Sequence, residues 1–450
     1  MRSANGLVIA SPRSGSGKTL VTLGLITALR RRGLSIAPAK AGPDYIDAAI
    51  LTHVADNSAI NLDPWAMGDT SLRNRAYVHG LAHDLLLIEG VMGLFDAAAD
   101  GRGSTADLAA TLNLPVVLVV DAEKQSHSVA ALVHGFATFR QDVEIAGVIL
   151  NRVGTTRHER LLVDALKPLG LPVLGALPRR ESLYLPERHL GLVLPNEINA
   201  LETIVSTAAE AIETYLDLNR LVALSAPVAV TDAPATASLP PLGQRIAIAR
   251  DEAFSFIYQH LIQSWQTAGA ELSFFSPLAN QSAETNIDSI FLPGGYPELH
   301  GLALANATRF HASLRAARDR GALIYGECGG YMVLGETLTD ASGATHPMSG
   351  LLPISTDISR PKRALGYRRL SHGSPLPWPH HLLGHEFHYS SGSASDPLFT
   401  ATDAVGAELA PMGAVVGRVM GSYAHVIDAA RDLLTEGHRA SHKGSSWPRP

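Results

Sequence analysis

From Leu7 to about Leu218 the chain alternates short, almost uninterrupted apolar runs with longer helical segments. A strand that is apolar at every position has to be covered on both faces, and intervening helices supply the covers. The pattern therefore calls for an α/β unit built on a parallel sheet. Its predicted strands are Leu7–Ala10, Ser35–Ala39, Asp84–Glu89, Pro115–Asp121, Ile145–Asn151 and Pro172–Ala176, and Leu20–Arg32 reads as the first covering helix, stopped by Gly33.

A chain of 450 residues exceeds what one ordinary core organises, so a second domain is expected. Between Ala226 and Leu242 the run APVAVTDAPATASLPPL carries Asp232 as its one charge and repeats Pro, Ala, Ser and Thr, the composition of a linker. Beyond it, Arg245–Ala249, Ile287–Leu292 and Ala322–Tyr325 read as strands and Ala303–Arg318 as a helix, a second α/β series. The expected division is residues 1–220, a linker over 221–243, a second domain over 244–435 and a polar, flexible tail over 436–450.

A net charge of -6 and an isoelectric point near 6.3 argue against a nucleic-acid binder, whose footprint is a basic face. An anionic substrate then requires a local basic pocket. Leu114–Val120, the longest apolar stretch, falls well short of the ~20 residues of a membrane helix, so no membrane association is expected. Met1–Ser11 runs straight into a strand and a glycine-rich loop, which leaves no room for a cleaved leader. One cysteine cannot form an internal disulfide, which fits a reducing, cytoplasmic setting.

Ser11-Pro12-Arg13-Ser14-Gly15-Ser16-Gly17-Lys18-Thr19 lies between a predicted strand and a predicted helix, the context of a phosphate-binding loop. Amides from Ser14, Gly15, Ser16 and Gly17 would cradle phosphates, Lys18 would neutralise them, and the Thr19 hydroxyl would meet Mg²⁺. Pro12 stands where such loops usually begin with glycine. Glu89 ends a strand where an acid can reach the metal or its water. Lys40 and Asp44 follow the second strand and reach the same sheet edge, unless they form only a solvated turn. Asn151-Arg152 ends a later strand and is read as an adenine contact, unless Asn151 is only a turn residue.

The lone Cys328 sits in Gly326-Glu327-Cys328-Gly329-Gly330, after an apolar strand and before a helical segment. That is a nucleophile-elbow frame with sulfur as the nucleophile, and a helix start there favours thiolate. The alternative is a buried structural cysteine, which needs no such glycines. A thiol nucleophile wants an imidazole base. His425 in Met420–His425 is one candidate, and His385 and His388 compete with it. Gly294 and Gly295, after another strand, are placed to offer backbone amides to an oxyanion, or else form a plain turn.

Together these blocks resemble the cobyrinic or hydrogenobyrinic acid a,c-diamide synthases of cobalamin biosynthesis over nearly the whole chain. The resemblance rests on Ala10–Thr19, Lys40–Asp47, Glu89–Asp96, Arg188–Leu192, Arg250–Phe256, Pro293–Glu298, the Cys328 elbow and Gly384–Tyr389. It implies an N-terminal P-loop domain similar to dethiobiotin synthetase and a C-terminal class I glutamine amidotransferase domain. It also implies ATP and glutamine as co-substrates, Mg²⁺ held by Thr19, Asp44 and Glu89, and Lys18 and Lys40 facing phosphates. Asp44, Tyr45 and Asp96 would face a corrinoid carboxylate activated as an acyl phosphate, and Cys328 with His425 would form the glutaminase pair. The wider amidotransferase class carries His-x-Glu, whereas Val426 and Ile427 follow His425 here, so an orienting acid is absent or comes from elsewhere. Expected partners are then the corrinoid alone, with no nucleic acid and no membrane; a homodimer stays open. Rival expectations are a P-loop ATPase switch carrying an inactive amidotransferase-like half, and an amidase of another tetrapyrrole.

Overall fold

The computed structural model describes residues 4–180, 201–230, 239–360, 362–390 and 396–430. The predicted tail and the Arg188–Leu192 block lie outside them. The first unit is organised by strands β1 (Asn5–Ala10), β2 (Ile36–Ala41), β3 (Ile60–Leu62), β4 (Leu85–Glu89), β5 (Val116–Asp121), β6 (Ile145–Val153) and β7 (Val173–Pro178), in the spatial order β3-β2-β4-β1-β5-β6-β7. Every pairing along that path is parallel. The six strands read from sequence are all present, with ends shifted by no more than two residues. Only the three-residue β3 was too short to register as a periodic run.

Val116–Val120 are completely buried, as a strand flanked by strands and covered by helices must be. Each such Val contributes on the order of 1.5–3 kcal/mol relative to exposure. Helix α1 (Lys18–Arg31) covers one face, with Gly24 letting the helix Leu201–Tyr215 approach closely: a Cβ there would stand 3.2 Å from Ala208 Cβ. Helix α2 (Tyr45–Ala55) follows β2.

The segment read as a linker begins by adding to the first sheet. Strand β8 (Ala226–Pro227) pairs antiparallel with Asn5 and Gly6, ahead of the stretch of β1 that meets β5. The second unit has a sheet of β9 (Arg245–Ala249), β10 (Glu271–Phe275), β11 (Ser289–Leu292), β12 (Leu323–Glu327) and two later strands. A small sheet of β13 (Thr337–Thr339), β14 (Thr345–Pro347) and β15 (Ser355–Asp357) follows. Next come β16 (Ala364–Ser371), β17 (His381–His388), β18 (Phe399–Thr402), β19 (Glu408–Met412), β20 (Ala414–Val416), β21 (Val419–Ser422) and β22 (His425–Ala429). The larger sheets run β10-β9-β11-β12-β21-β20 and β19-β18-β16-β17-β22.

The expected helix Ala303–Arg318 is broken into Gly301–Ala305 and Thr308–Asp319. Asn280 explains the break. Its Oδ1 accepts from the amides of Arg309 (2.8 Å) and Phe310 (3.2 Å), so a side chain from a remote loop caps the second helix. Local sequence carries no sign of that cap.

The two units meet through polar aromatic contacts. Tyr258 donates to the Pro43 carbonyl (3.2 Å), Tyr367 donates to Asp63 Oδ2 (3.1 Å), and Tyr367 stacks on Trp65 with ring centroids 4.3 Å apart. Arg369 lies over the same Trp65 ring and pairs with Asp100 at 3.4 Å.

Candidate active site

The phosphate half lies at the carboxyl edge of the first sheet, where β1, β2 and β4 end side by side. Gly15 and Gly17 take positive φ (77° and 84°), a conformation that favours glycine, and Gly17 caps α1. A side chain at Gly17 would also collide with Asn151, whose Nδ2 donates to the Ser16 carbonyl at 2.9 Å. Asn151 thus braces the loop from β6. Arg152 donates to the Gly15 carbonyl (2.9 Å) and to Asp121 (2.8 Å), a second brace that sequence reasoning missed because it needs β5 and β6 adjacent.

Behind the loop, Lys18 and Lys40 share one carboxylate oxygen, Glu89 Oε1, at 3.0 and 3.2 Å, and both amines also reach the Gly90 carbonyl. Thr19 donates to the same oxygen at 2.6 Å. Burial drives the Glu89 carboxyl pKa upward, but Lys18 and Lys40 win and hold it near 2. Burial also opposes charge on Lys40, where Asp47 and Glu89 overcome it and raise the amine. For Lys18 burial prevails and its pKa falls. Asp47 also pairs with Lys40, so two acids face the two buried amines, and phosphate oxygens entering here would take over amine contacts now made by Glu89. Glu89 Oε2 is buried without a hydrogen-bond partner.

Asp44 caps α2, its Oδ1 accepting from Ile46 (2.9 Å) and Asp47 (3.0 Å). Asp47, unremarked as a site residue in the sequence, is pushed up to about 6 by burial and by Asp44. Asp96 is exposed and ties the turn after β4, accepting from the Gly93 amide at 2.8 Å. Tyr45 does not share the outlook of these acids. Its ring stacks on Tyr258 (4.2 Å) and Phe256 (5.3 Å) and tilts against His425 (5.0 Å), all from the second unit.

In the thiol half, Cys328 links β12 to the short helix Gly329–Leu334 with φ 46° and ψ -105°, the strained backbone of an elbow. A Cβ on Gly330 would lie 1.9 Å from the Leu292 carbonyl oxygen and one on Gly326 2.8 Å from Gly330, so the frame glycines are sterically required. The Cys328 amide donates to the Ser422 carbonyl at 2.8 Å, which fastens the elbow to β21 three residues ahead of His425. A Cβ on Gly329 would stand 3.1 Å from Gly295 N, and one on Gly294 2.4 Å from His425 Cε1. Of the predicted oxyanion glycines, Gly295 thus packs against the elbow and Gly294 against the imidazole.

His425 Nδ1 faces Glu327 Oε2 at 3.7 Å, both side chains buried. An acid thus faces the imidazole from the residue preceding the nucleophile, at a distance too long for a hydrogen bond, and Nδ1 has no hydrogen-bond partner among the described residues. Of the rival imidazoles, His385 pairs across from His425 on β17, and burial, then the neighbouring imidazole, push it down to about 3. His388 is engaged by Glu386 (2.7 Å) and Ser390. The expected help of a helix start to the thiolate is outweighed: burial first, then Glu298, pushes the Cys328 thiol up.

Residues 7–193 match the family described as CobQ/CobB/MinD/ParA nucleotide binding domain, and residues 245–432 match the CobB/CobQ-like glutamine amidotransferase domain. A hydrogenobyrinate a,c-diamide synthase of Brucella abortus is 54% identical over 430 residues, covering 94% of this chain and 98% of that protein. The chain belongs to the hydrogenobyrinate a,c-diamide synthase family. Other members, from Rhizobium meliloti (51% identical, 94% and 99% covered) and Rhodobacter capsulatus (47%, 94% and 98%), extend over the same span. The family expected from the sequence motifs is the one found, with its nucleotide-binding and glutamine amidotransferase halves in the expected order. The chain is an amide ligase that draws nitrogen from glutamine. No helix among the described residues is long and apolar enough to cross a membrane.

Proposed function

We propose that the protein amidates the a and c carboxylates of a corrinoid, hydrogenobyrinate or its cobalt-bearing counterpart, through acyl phosphates made with ATP. A carboxylate resists ammonia because its leaving group would be oxide, so attack of a carboxylate oxygen on the γ-phosphorus, with ADP leaving, must come first. Ammonia then adds to the acyl carbon and phosphate departs. Lys18 and Lys40 hold phosphate oxygens, the Ser14–Gly17 amides cradle them, and Asn151 fixes the loop. Mg²⁺ fits this edge: Glu89, with its unpartnered buried Oε2, Thr19 and Asp44 offer hard oxygens that would hold it, and the ion would supply charge neutralisation. Asp44 and Asp96 border the carboxylate being activated, while the Tyr45 ring turns to the thiol half.

In the other half, Cys328 sulfur attacks the glutamine amide carbon, His425 passes a proton to the departing nitrogen, and water hydrolyses the thioester to glutamate. Amides at Gly294 and Gly295 receive the oxyanion. Glu327 orients the imidazole. The observation that carries this reading is the place of Tyr45. Asp44 belongs to the phosphate edge and the very next residue touches the glutaminase imidazole, so a single residue step joins the two chemistries. Functionally the chain divides into a ligase unit over 1–220, a connection over 221–243 and a glutaminase unit over 244–435. It would work in the cytoplasm, as a monomer or a homodimer.

The test is amidation of metal-free and cobalt-containing substrate, followed by product mass, with glutamine or ammonium as nitrogen source. Cys328→Ala should keep the ammonium reaction and lose the glutamine one, whereas Lys18→Ala should lose both. Full glutamine-dependent turnover in Cys328→Ala would remove the thiol from the mechanism.

A further inference from the structure

Glu298 lies in the single 3-10 turn Pro297–His300, directly after Gly294-Gly295-Tyr296. Its turn abuts the elbow, because a Cβ on Gly329 would sit 2.7 Å from Pro297 Cδ. Its Oε2 is buried and accepts no hydrogen bond among the described residues, and no ion pair there includes it. Burial pushes its pKa up to about 7. After burial itself, Glu298 is the strongest influence keeping the Cys328 thiol protonated. For the protein alone this placement is doubly unfavourable, since a buried carboxylate goes without a cation and the nucleophile next to it is suppressed.

Both penalties vanish if a cation settles on Glu298, and the glutaminase reaction brings one. L-Glutamine carries an α-ammonium with three N–H donors, at the opposite end of a short chain from the amide that Cys328 attacks. We infer that Glu298 is the residue that recognises the α-ammonium of glutamine. The inference rests on the glutaminase reading of Cys328. It makes Glu298 a specificity residue: an amide lacking the ammonium leaves its carboxylate without a cation.

The discriminating probe is 4-carbamoylbutanoate, which is glutamine without its amino group. Glutamate or glutarate release is measured for both amides with wild type, Glu298→Gln and Glu298→Asp. In Glu298→Gln, kcat/KM for L-glutamine should drop about tenfold to a hundredfold, the range for a lost charge-assisted hydrogen bond, while the value for 4-carbamoylbutanoate, which offers Glu298 no cation, holds or rises. Glu298→Asp should retain part of the preference. In wild type, KM for glutamine should fall as pH rises through about 7, where the carboxylate becomes charged, and Glu298→Gln should show no such trend. Equal losses on both amides, or an unchanged preference, overturn the proposal, and the analogue itself reports whether the variant is folded. Glutamine hydrolysis surviving in Cys328→Ala would instead sink the underlying glutaminase reading.

Discussion

Glu327 Oε2 stands 3.7 Å from His425 Nδ1, while the other carboxylate oxygen is held by the Val426 amide and the Tyr325 hydroxyl, each at 3.1 Å. The acid is thus tied to the residue after the imidazole it faces, and it can swing only its free oxygen. His425 Nδ1 has no closer acceptor among the described residues. Glu327→Gln preserves shape and removes charge. It should lower glutamine-dependent turnover on the order of 10²-fold while ammonium-dependent turnover persists, since general acid–base help is worth about 10²–10⁴-fold. Parallel kinetics with the two nitrogen sources checks this; equal losses would mean that Glu327 is only structural.

The suppressed thiol has its own consequence. A free cysteine is a few per cent thiolate near neutrality, whereas burial and Glu298 raise the Cys328 pKa well above its ordinary value. Alkylation by iodoacetamide without glutamine should therefore be slower than that of a model thiol from pH 7 to 9, and should still be climbing at pH 9. Mass-resolved labelling of the single cysteine gives the rate. A reaction that levels off near pH 7 would show that the elbow favours thiolate after all.

The phosphate half was largely legible in the sequence because its residues are local. The glycines, Lys18 and Thr19 occupy one turn, and Glu89 ends an apolar strand whose neighbours follow from the α/β pattern. What the sequence hid is contact across strand order. Arg152 reaches Gly15 only because β5 and β6 lie beyond β1, and Asn280 breaks a helix from a loop nearly thirty residues away. Glu327 was passed over for a related reason. An acid was sought downstream of His425, and it arrives from the neighbouring strand end.

Glu89 concentrates the electrostatics of the phosphate edge. Its carboxyl is held near 2, below an ordinary value near 4.5, so its contribution to stability is fully present above pH 4.5 and is lost as pH falls toward 2. Glu89→Gln leaves Lys18 without its acid and Lys40 with Asp47 alone. Breaking a buried pair in this way costs about 3–5 kcal/mol. Denaturant unfolding should show that loss at pH 7 and a much smaller difference near pH 2, and a constant difference across that range would contradict the ion-pair account.

Tyr45 offers the sharpest test of how the halves communicate. Its backbone starts α2 at the phosphate edge, and its ring fills the space bounded by Phe256, Tyr258 and His425. On the proposed acyl phosphate route, ammonia would cross this aromatic layer, which would also keep water from the intermediate. Tyr45→Ala removes the ring and leaves the Asp44 cap, which uses only backbone amides. Glutamate release should continue at a comparable rate while amide formed per glutamate falls severalfold, because ammonia escapes and water enters. Tyr45→Phe keeps the stack and should keep the ratio near that of wild type. Simultaneous assay of glutamate and amidated product decides the point, and a ratio unaltered in Tyr45→Ala would place the ammonia route elsewhere.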